Sequence, residues 1–218
     1  MIEPEVLYDG TSGDPTVIWY DGGGTTGWVV ISVHPDALTD PECRVTDNIT
    51  HYAVGEFYGN EFMQVDQMVA LYEMWPGSCV GVEHWVHYDS THGRKDENLT
   101  SLARINAAFR YALHLRSWER EALARGRLSE PIALLTEEGE PVRREVPNVQ
   151  RQTASFMKKG GVSVEMLSVI AWEGRSLAKR CEGSEHKRDA TRHALIFLKR
   201  LKTQPTLRKE VFPALAPA

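Results

Sequence analysis

The chain is short of three things: paired cysteines, long apolar runs and, in its first hundred residues, basic side chains. Its three cysteines, Cys43, Cys79 and Cys181, are odd in number and far apart in 218 residues. That excludes a disulfide framework or a zinc cage and fits reduced thiols in a cytoplasm. No stretch approaches the roughly 18 apolar residues of a membrane span; Trp28-Val29-Val30-Ile31-Ser32-Val33 is only strand length. The opening Met1-Ile2-Glu3-Pro4-Glu5 is acidic and has none of the basic and apolar regions of a signal peptide. Residues 1–100 hold only Arg44, Arg94 and Lys95 against 17 acidic residues, a balance of −14.

The rest of the chain reverses that balance. Residues 101–218 carry 22 basic and 13 acidic side chains, +9, so the net charge of −5 conceals two halves of opposite sign. A basic half can track a phosphate backbone even in a protein of acidic overall charge. Charge by itself leaves solvated helix faces as an equal reading. The 42% hydrophobic and 25% charged content is ordinary for a folded chain of 218 residues, and one domain is the simplest organisation. Residues 1–15 read as an irregular leader, 16–203 as the domain and 204–218, with Pro205, Pro213 and Pro217, as a flexible tail.

Within the domain, apolar runs predict strands over 16–21, 28–33, 51–58, 79–83 and 131–136. Helical spacing predicts helices over 60–74, 99–124, 162–172 and 184–201. Asn60 caps the first helix and Pro76-Gly77 stops it. Residues 137–145 are a polar excursion. The order β-β-β-α-β-α-β-α predicts an α/β fold of RNase H-like type. Its sheet has five strands, three antiparallel and then two parallel, flanked by helices.

Three carboxylates fall at informative points of that order. Asp21 ends the first apolar run and opens Gly22-Gly23-Gly24-Thr25-Thr26-Gly27-Trp28; glycines there admit a tight turn and close approach to phosphate. Glu83 ends the run Cys79-Val80-Gly81-Val82, and a strand lying beside the first would bring it next to Asp21. Asp189 lies in His186-Lys187-Arg188-Asp189-Ala190-Thr191-Arg192-His193-Ala194, where offsets of three and four put His186, Asp189 and His193 on one helical face. Remote segments delivering several hard oxygen ligands to one point suit magnesium. The plainer readings are a hairpin turn, a first solvated strand position and a mixed-charge surface helix. His84, His87 and His92 have the spacing of no common zinc site. An Asp-Gly-Thr loop also serves ATPases of the actin and sugar-kinase type, but their second domain and second phosphate loop are missing.

Taken together, Asp21 with its Gly-Thr-Thr-Gly-Trp turn, Glu83, and His186-x-x-Asp189-Ala resemble a RuvC-like Holliday junction resolvase of the small bacteriophage type, over roughly residues 16–200. Arg151-Gln152-Thr153, followed by Lys158 and Lys159, is a weaker match. The resemblance implies a homodimeric endonuclease that hydrolyses phosphodiesters in four-way DNA junctions, leaving 5′ phosphates. It implies two Mg2+ per active site, replaceable by Mn2+, held by Asp21, Glu83, His186 and Asp189. No nucleotide cofactor and no membrane enter. DNA contacts would come from Thr25, Thr26, Arg151, Lys158, Lys159, Lys187, Arg188 and Arg192, with Trp85 or Tyr88 stacking at the junction centre. A dimer matches the two-fold symmetry of a junction, and the helix over 99–124 is its candidate element. The alternatives are an RNase H-like nuclease for flaps, forks or RNA–DNA hybrids, and a DNA-binding module without catalysis.

Overall fold

The computed structural model describes residues 13–83, 97–124, 149–152 and 161–215, with the side chains of 97–101 and 117–124 left aside. Strands β1 (Thr16–Asp21), β2 (Thr26–Val33), β3 (Ile49–Phe57), β4 (Cys79–Glu83) and β5 (Gln150–Gln152) form one sheet in the order β3-β2-β1-β4-β5. The first three run antiparallel, whereas β4 is parallel to β1 and β5 parallel to β4. This mixed sheet with helices against it is the RNase H-like fold expected from the order of apolar runs. The fifth strand of the described sheet is Gln150–Gln152; the strand expected over 131–136 and the excursion 137–145 lie outside the described residues. Three residues of Gln-Arg-Gln carry no apolar alternation, so no hydrophobic pattern marks them as a strand.

Strands β1 and β2 are buried at every position, as befits central strands covered on both faces. Their side chains alternate between two cores. Val17, Trp19, Val29, Ile31, Val33 and Cys79 face one layer; Ile18, Tyr20, Trp28, Val30, Val80 and Val82 face the other. The second layer is closed by helices α2 (Glu61–Met74) and α3 (Glu97–Ala124). Asn60 caps α2 by accepting the Met63 N–H at 3.0 Å. Along α3 the expected stripe is buried at Leu102, Ile105, Phe109 and Leu113, with Ala108 and Ala112 at its margin.

The first layer is closed by α6 (Glu185–Thr203), whose Ala190, Ala194, Leu195, Phe197, Leu198 and Leu201 are buried. Ser184 caps it, accepting the Lys187 N–H at 3.1 Å. Shorter elements among the described residues include α1 (Asp36–Thr39), α4 (Val164–Val169), the hairpin β6 (Ala171–Trp172) and β7 (Arg175–Ser176), α5 (Leu177–Arg180) and α7 (Pro205–Val211). The helix expected over 162–172 is thus α4 followed by a strand. Residues 205–215 are also not a loose tail. Pro205 occupies the first turn of α7, Leu207, Val211, Phe212 and Leu215 pack on the core, and buried Arg208 donates to the carbonyls of Leu38, Leu201 and Lys202. Pro at a helix start reads as a breaker in sequence but is well suited to that position. No helix among the described residues is long and apolar enough to cross a membrane.

One contact links the sheet to α6 directly above the strand ends. Gly81 of β4 pairs with Trp19 of β1, and the Trp19 ring lies across the space that a Cβ on Gly81 would fill. The ring stacks on His193 of α6, with centroids 5.6 Å apart at 11°. Gly81→Ala would push a buried indole off its seat, an overpacking cost of about 1–3 kcal/mol. Urea denaturation should show a lower midpoint with an unchanged slope.

Candidate metal centre

Register decides where the strand-end carboxylates go. Tyr20 pairs with Val82 in the parallel β1–β4 ladder, so the next pair is Asp21 and Glu83. Both carry the parity of Trp19 and therefore face α6. Across the hairpin Asp21 pairs with Gly27. A Cβ on Gly27 would land on the backbone carbonyl of His186, so only glycine lets the first turn of α6 settle on the sheet there. The turn glycines act similarly: a Cβ on Gly23 would stand 3.0 Å from His186 Cε1. None of Gly22, Gly23 and Gly24 has a positive φ. Lack of side-chain bulk, more than left-handed backbone, is what the turn needs at Gly22, against Leu102, and at Gly23, whereas Gly24 faces open space.

With α6 so close, its inward face reaches the strand ends. His186 Nδ1 is 2.9 Å from Asp21 Oδ2, and Asp21 is 5% exposed. The Glu83 and Asp21 carboxyl groups lie close enough for each to act on the other's protonation. His193 Nε2 lies 4.0 Å from Glu83 Oε1. Ligand atoms of Asp21, Glu83 and His193 all lie within 4.8 Å of one another. Asp189 stands beside this group, close enough for its charge to act on Glu83, and is held by Arg192 at 3.1 Å.

Crowding of negative charge sets the protonation. Burial, the hydrogen bond with Asp21 and the charges of Asp21 and Asp189 hold the Glu83 carboxyl up to about 9. Burial and the Asp21 charge also raise Asp189, with Arg192 offsetting part of it. The hydrogen bond to Asp21 raises His186, against the opposing effect of burial. Burial lowers His193 to about 4, leaving a neutral imidazole. Two clustered carboxyl groups, one retaining a proton because it is buried beside negative neighbours, together with a neutral imidazole, form a donor set that suits a divalent cation.

The other expected site residues divide three ways. Arg151 is exposed on the edge strand β5, in register with Val82. Thr25 is partly exposed in the glycine turn, and Lys187 and Arg188 lie half-buried on the first turn of α6, where Arg188 pairs with Glu185 at 3.4 Å. Two residues expected at phosphates are engaged internally instead. Thr26 is fully buried and donates to Gln64 Oε1 at 2.5 Å. Arg192 donates to the Val162 carbonyl at 2.9 Å as well as to Asp189. Trp85, Tyr88, Lys158 and Lys159 lie outside the described residues. His193 is the residue whose place in the cluster the sequence reading passed over. It shared the face of His186 and Asp189, and the missing signal was the depth at which that face is buried.

Buried Gln64 braces the rim. It donates from Nε2 to the carbonyls of Gly24 at 3.1 Å and Gly59 at 3.0 Å, tying the glycine turn to the start of α2. At the far side, Asn106 of α3 donates to the Glu83 carbonyl at 2.7 Å. The end of β4 is thus fixed by a helix on the opposite face of the sheet.

No protein-family model matches the chain, and no curated protein matches it in sequence. Among solved structures, the chain is similar to T. thermophilus RuvC in complex with a Holliday junction substrate. That similarity has 15% identity, covers 87% of this chain and 96% of the other, and has a TM-score of 0.47. A second Thermus thermophilus RuvC structure gives 14% identity, coverage of 86% and 96%, and a TM-score of 0.46.

The pH dependence of stability follows from Glu83. Its folded pKa of about 9 exceeds the ordinary 4.5, so the folded state binds the proton more tightly. Its stabilising contribution is full below about pH 4.5 and fades as pH rises towards 9. His193 works oppositely, but only between about 4 and its ordinary 6.5. Above pH 7, in a chelator, Glu83→Gln should therefore melt progressively higher than wild type, and added divalent ion should raise the wild-type Tm more at pH 8.5 than at 6.5. Parallel wild-type and variant profiles across that range would contradict the assignment.

Proposed function

We propose that this protein is a metal-dependent endonuclease that hydrolyses phosphodiester bonds in branched DNA, with the four-way junction as its main substrate. The observation that carries the reading is the meeting of Asp21 and Glu83 at adjacent strand ends beneath the His186, Asp189 and His193 face of α6. Buried carboxylates kept close enough to share a proton are costly for folding. A cation-dependent reaction on a phosphate gives them a purpose. The branched substrate rests on the motif resemblance of the Asp21 turn, Glu83 and His186-x-x-Asp189.

In this reading Asp21, Glu83 and Asp189 would hold the Mg2+ ions, and His186 would orient Asp21 through its 2.9 Å hydrogen bond or hold the attacking water. Bound magnesium supplies the charge that makes water nucleophilic near neutral pH and that stabilises the leaving 3′ oxygen. Glu83 must lose its proton to become a ligand, so activity should climb with pH through neutrality. Accepting a proton from the attacking water also calls for a neutral His186, which acts in the same direction. Arg151, exposed on the edge strand, together with Lys187, Arg188 and the partly exposed Thr25, would contact phosphates. Lys158 and Lys159, with Trp85 or Tyr88 at the branch point, complete the proposed DNA contacts. A homodimer through α3, which presents Tyr111 at 64% exposure, would place two sites on the two strands of a symmetric junction. The setting would be a reducing cytoplasm.

Matched four-way, three-way, flap and RNA–DNA hybrid substrates, each in Mg2+ and in Mn2+, test the substrate. Four-way junctions should be cut fastest, in paired nicks leaving 5′ phosphates. Faster cutting of flaps or hybrids would move the protein to a general RNase H-like nuclease. Binding without cleavage in either metal would make it a DNA-binding module. Asp21→Asn should reduce cleavage by at least about 100-fold, the scale of losing a charged group from a metal site, with junction binding retained in a gel shift.

A further inference from the structure

His193 is in an unusual position for a histidine. It is 0% exposed, stacked on Trp19, and neither Nδ1 nor Nε2 has a hydrogen-bond partner. A buried polar group left unpaired costs free energy that an apolar residue of similar size would not. The surrounding surface of Trp19 and Phe197 would accept such a residue. Nothing in the packing therefore calls for an imidazole. The neighbouring carboxylates do: its ligand atom lies within 4.8 Å of those of Asp21 and Glu83, and Nε2 is 4.0 Å from Glu83 Oε1. Two ligands of one ion with bonds of about 2.1 Å stand at most about 4.2 Å apart, so Glu83 and His193 already span a single coordination sphere.

We infer that His193 is a nitrogen ligand in the Asp21–Glu83 metal position, and that it makes this position select a first-row transition ion such as Mn2+ over Mg2+. Magnesium takes oxygen donors and parts reluctantly with its water, whereas imidazole nitrogen is well suited to the transition ions. The other position, beside Asp189 and Asp21, keeps oxygen donors and has no such preference. Trp19 fixes the ring plane, and Gly81 leaves room for Trp19 to do so. The aromatic contact thus belongs to the ligand's orientation as well as to the core. The inference rests on the metal-dependent reading of the site but not on the branched DNA substrate.

The test uses the whole protein and direct metal binding, with no nuclease assay. Titration with Mn2+ followed by electron paramagnetic resonance should show one site binding at least about tenfold tighter than Mg2+ competes for it, the scale expected for gaining a matched ligand. Pulsed measurements on the Mn2+-loaded wild type should show coupling to an imidazole nitrogen. That coupling should survive in His186→Ala and vanish in His193→Leu. His193→Leu should also lose the Mn2+ preference while its metal-free Tm is unchanged or higher, because the unpaired nitrogens are gone. Wild-type Mn2+ bound without nitrogen coupling would overturn the inference and leave the metal-dependent reading intact. Binding of neither ion would overturn both.

Discussion

Two carboxyl groups are forced together in a place where water cannot separate them. Asp21 and Glu83 end adjacent parallel strands in consecutive register, face the same layer and are covered by the first turns of α6. Much of the local structure serves to hold that pair. Gly27 lets the helix descend, Gly23 leaves room for His186 to reach Asp21, Gln64 ties the turn to α2, and Asn106 fixes the end of β4. Without a cation the pair holds together by retaining a proton on Glu83. The arrangement therefore suits a positive charge, and the proton is the simplest one.

The sheet divides the work. The α2–α3 side is predominantly apolar, with Tyr20 as a buried polar contributor whose hydroxyl donates to the Met68 carbonyl at 2.8 Å. The α6 side combines a deep core with the ionisable cluster along one helix. Its outer half is Leu195, Phe197, Leu198 and Leu201, and its N-terminal half presents His186, Asp189 and His193. One rigid helix thus serves as both core element and site wall, and the core half anchors the working half. A site placed on a helix of this kind is more precise than one placed on a loop.

The parts legible in the sequence were those with strong local signals. Apolar runs ending in Asp21 and Glu83 marked two neighbouring strands, and Asn60, Pro76-Gly77 and the 3.6-residue stripe through Leu102, Ile105 and Phe109 marked two helices. Strand β5 escaped because pairing with β4, and not its own composition, makes Gln150–Gln152 extended. The helix over Pro205–Val211 escaped because its stability comes from tertiary contacts, chiefly Arg208 under three carbonyls. For the site, the strand ends and one helical face were readable. The depth of His193 was not, because periodicity shows which residues share a face but not how far that face is buried.

Charge is where sequence and structure differ most. A surplus of +9 in the second half suggests a broad phosphate-binding surface, yet several of those cations serve the protein itself. Arg192 bonds the Val162 carbonyl and Asp189; Arg180 donates to the Trp172 carbonyl at 3.0 Å and lies over its ring; Lys202 donates to the carbonyls of Pro41 and Cys43; Arg208 is buried. Each of these joins segments distant in sequence or finishes a helix end. A cation spent this way has its donors taken and its charge partly screened, so it contributes little to counterion release on DNA. On the proposed reading the cations that face DNA are therefore fewer than composition suggests, with exposed Arg151 among them. It stands exposed on the edge strand, one residue out of step with Glu83 across the β4–β5 ladder. Strand alternation turns its side chain to the α2–α3 face, opposite the carboxylates, so it could meet a phosphate at the sheet edge without lowering the charge density that a metal needs, which an arginine salt-bridged within the cluster could not do.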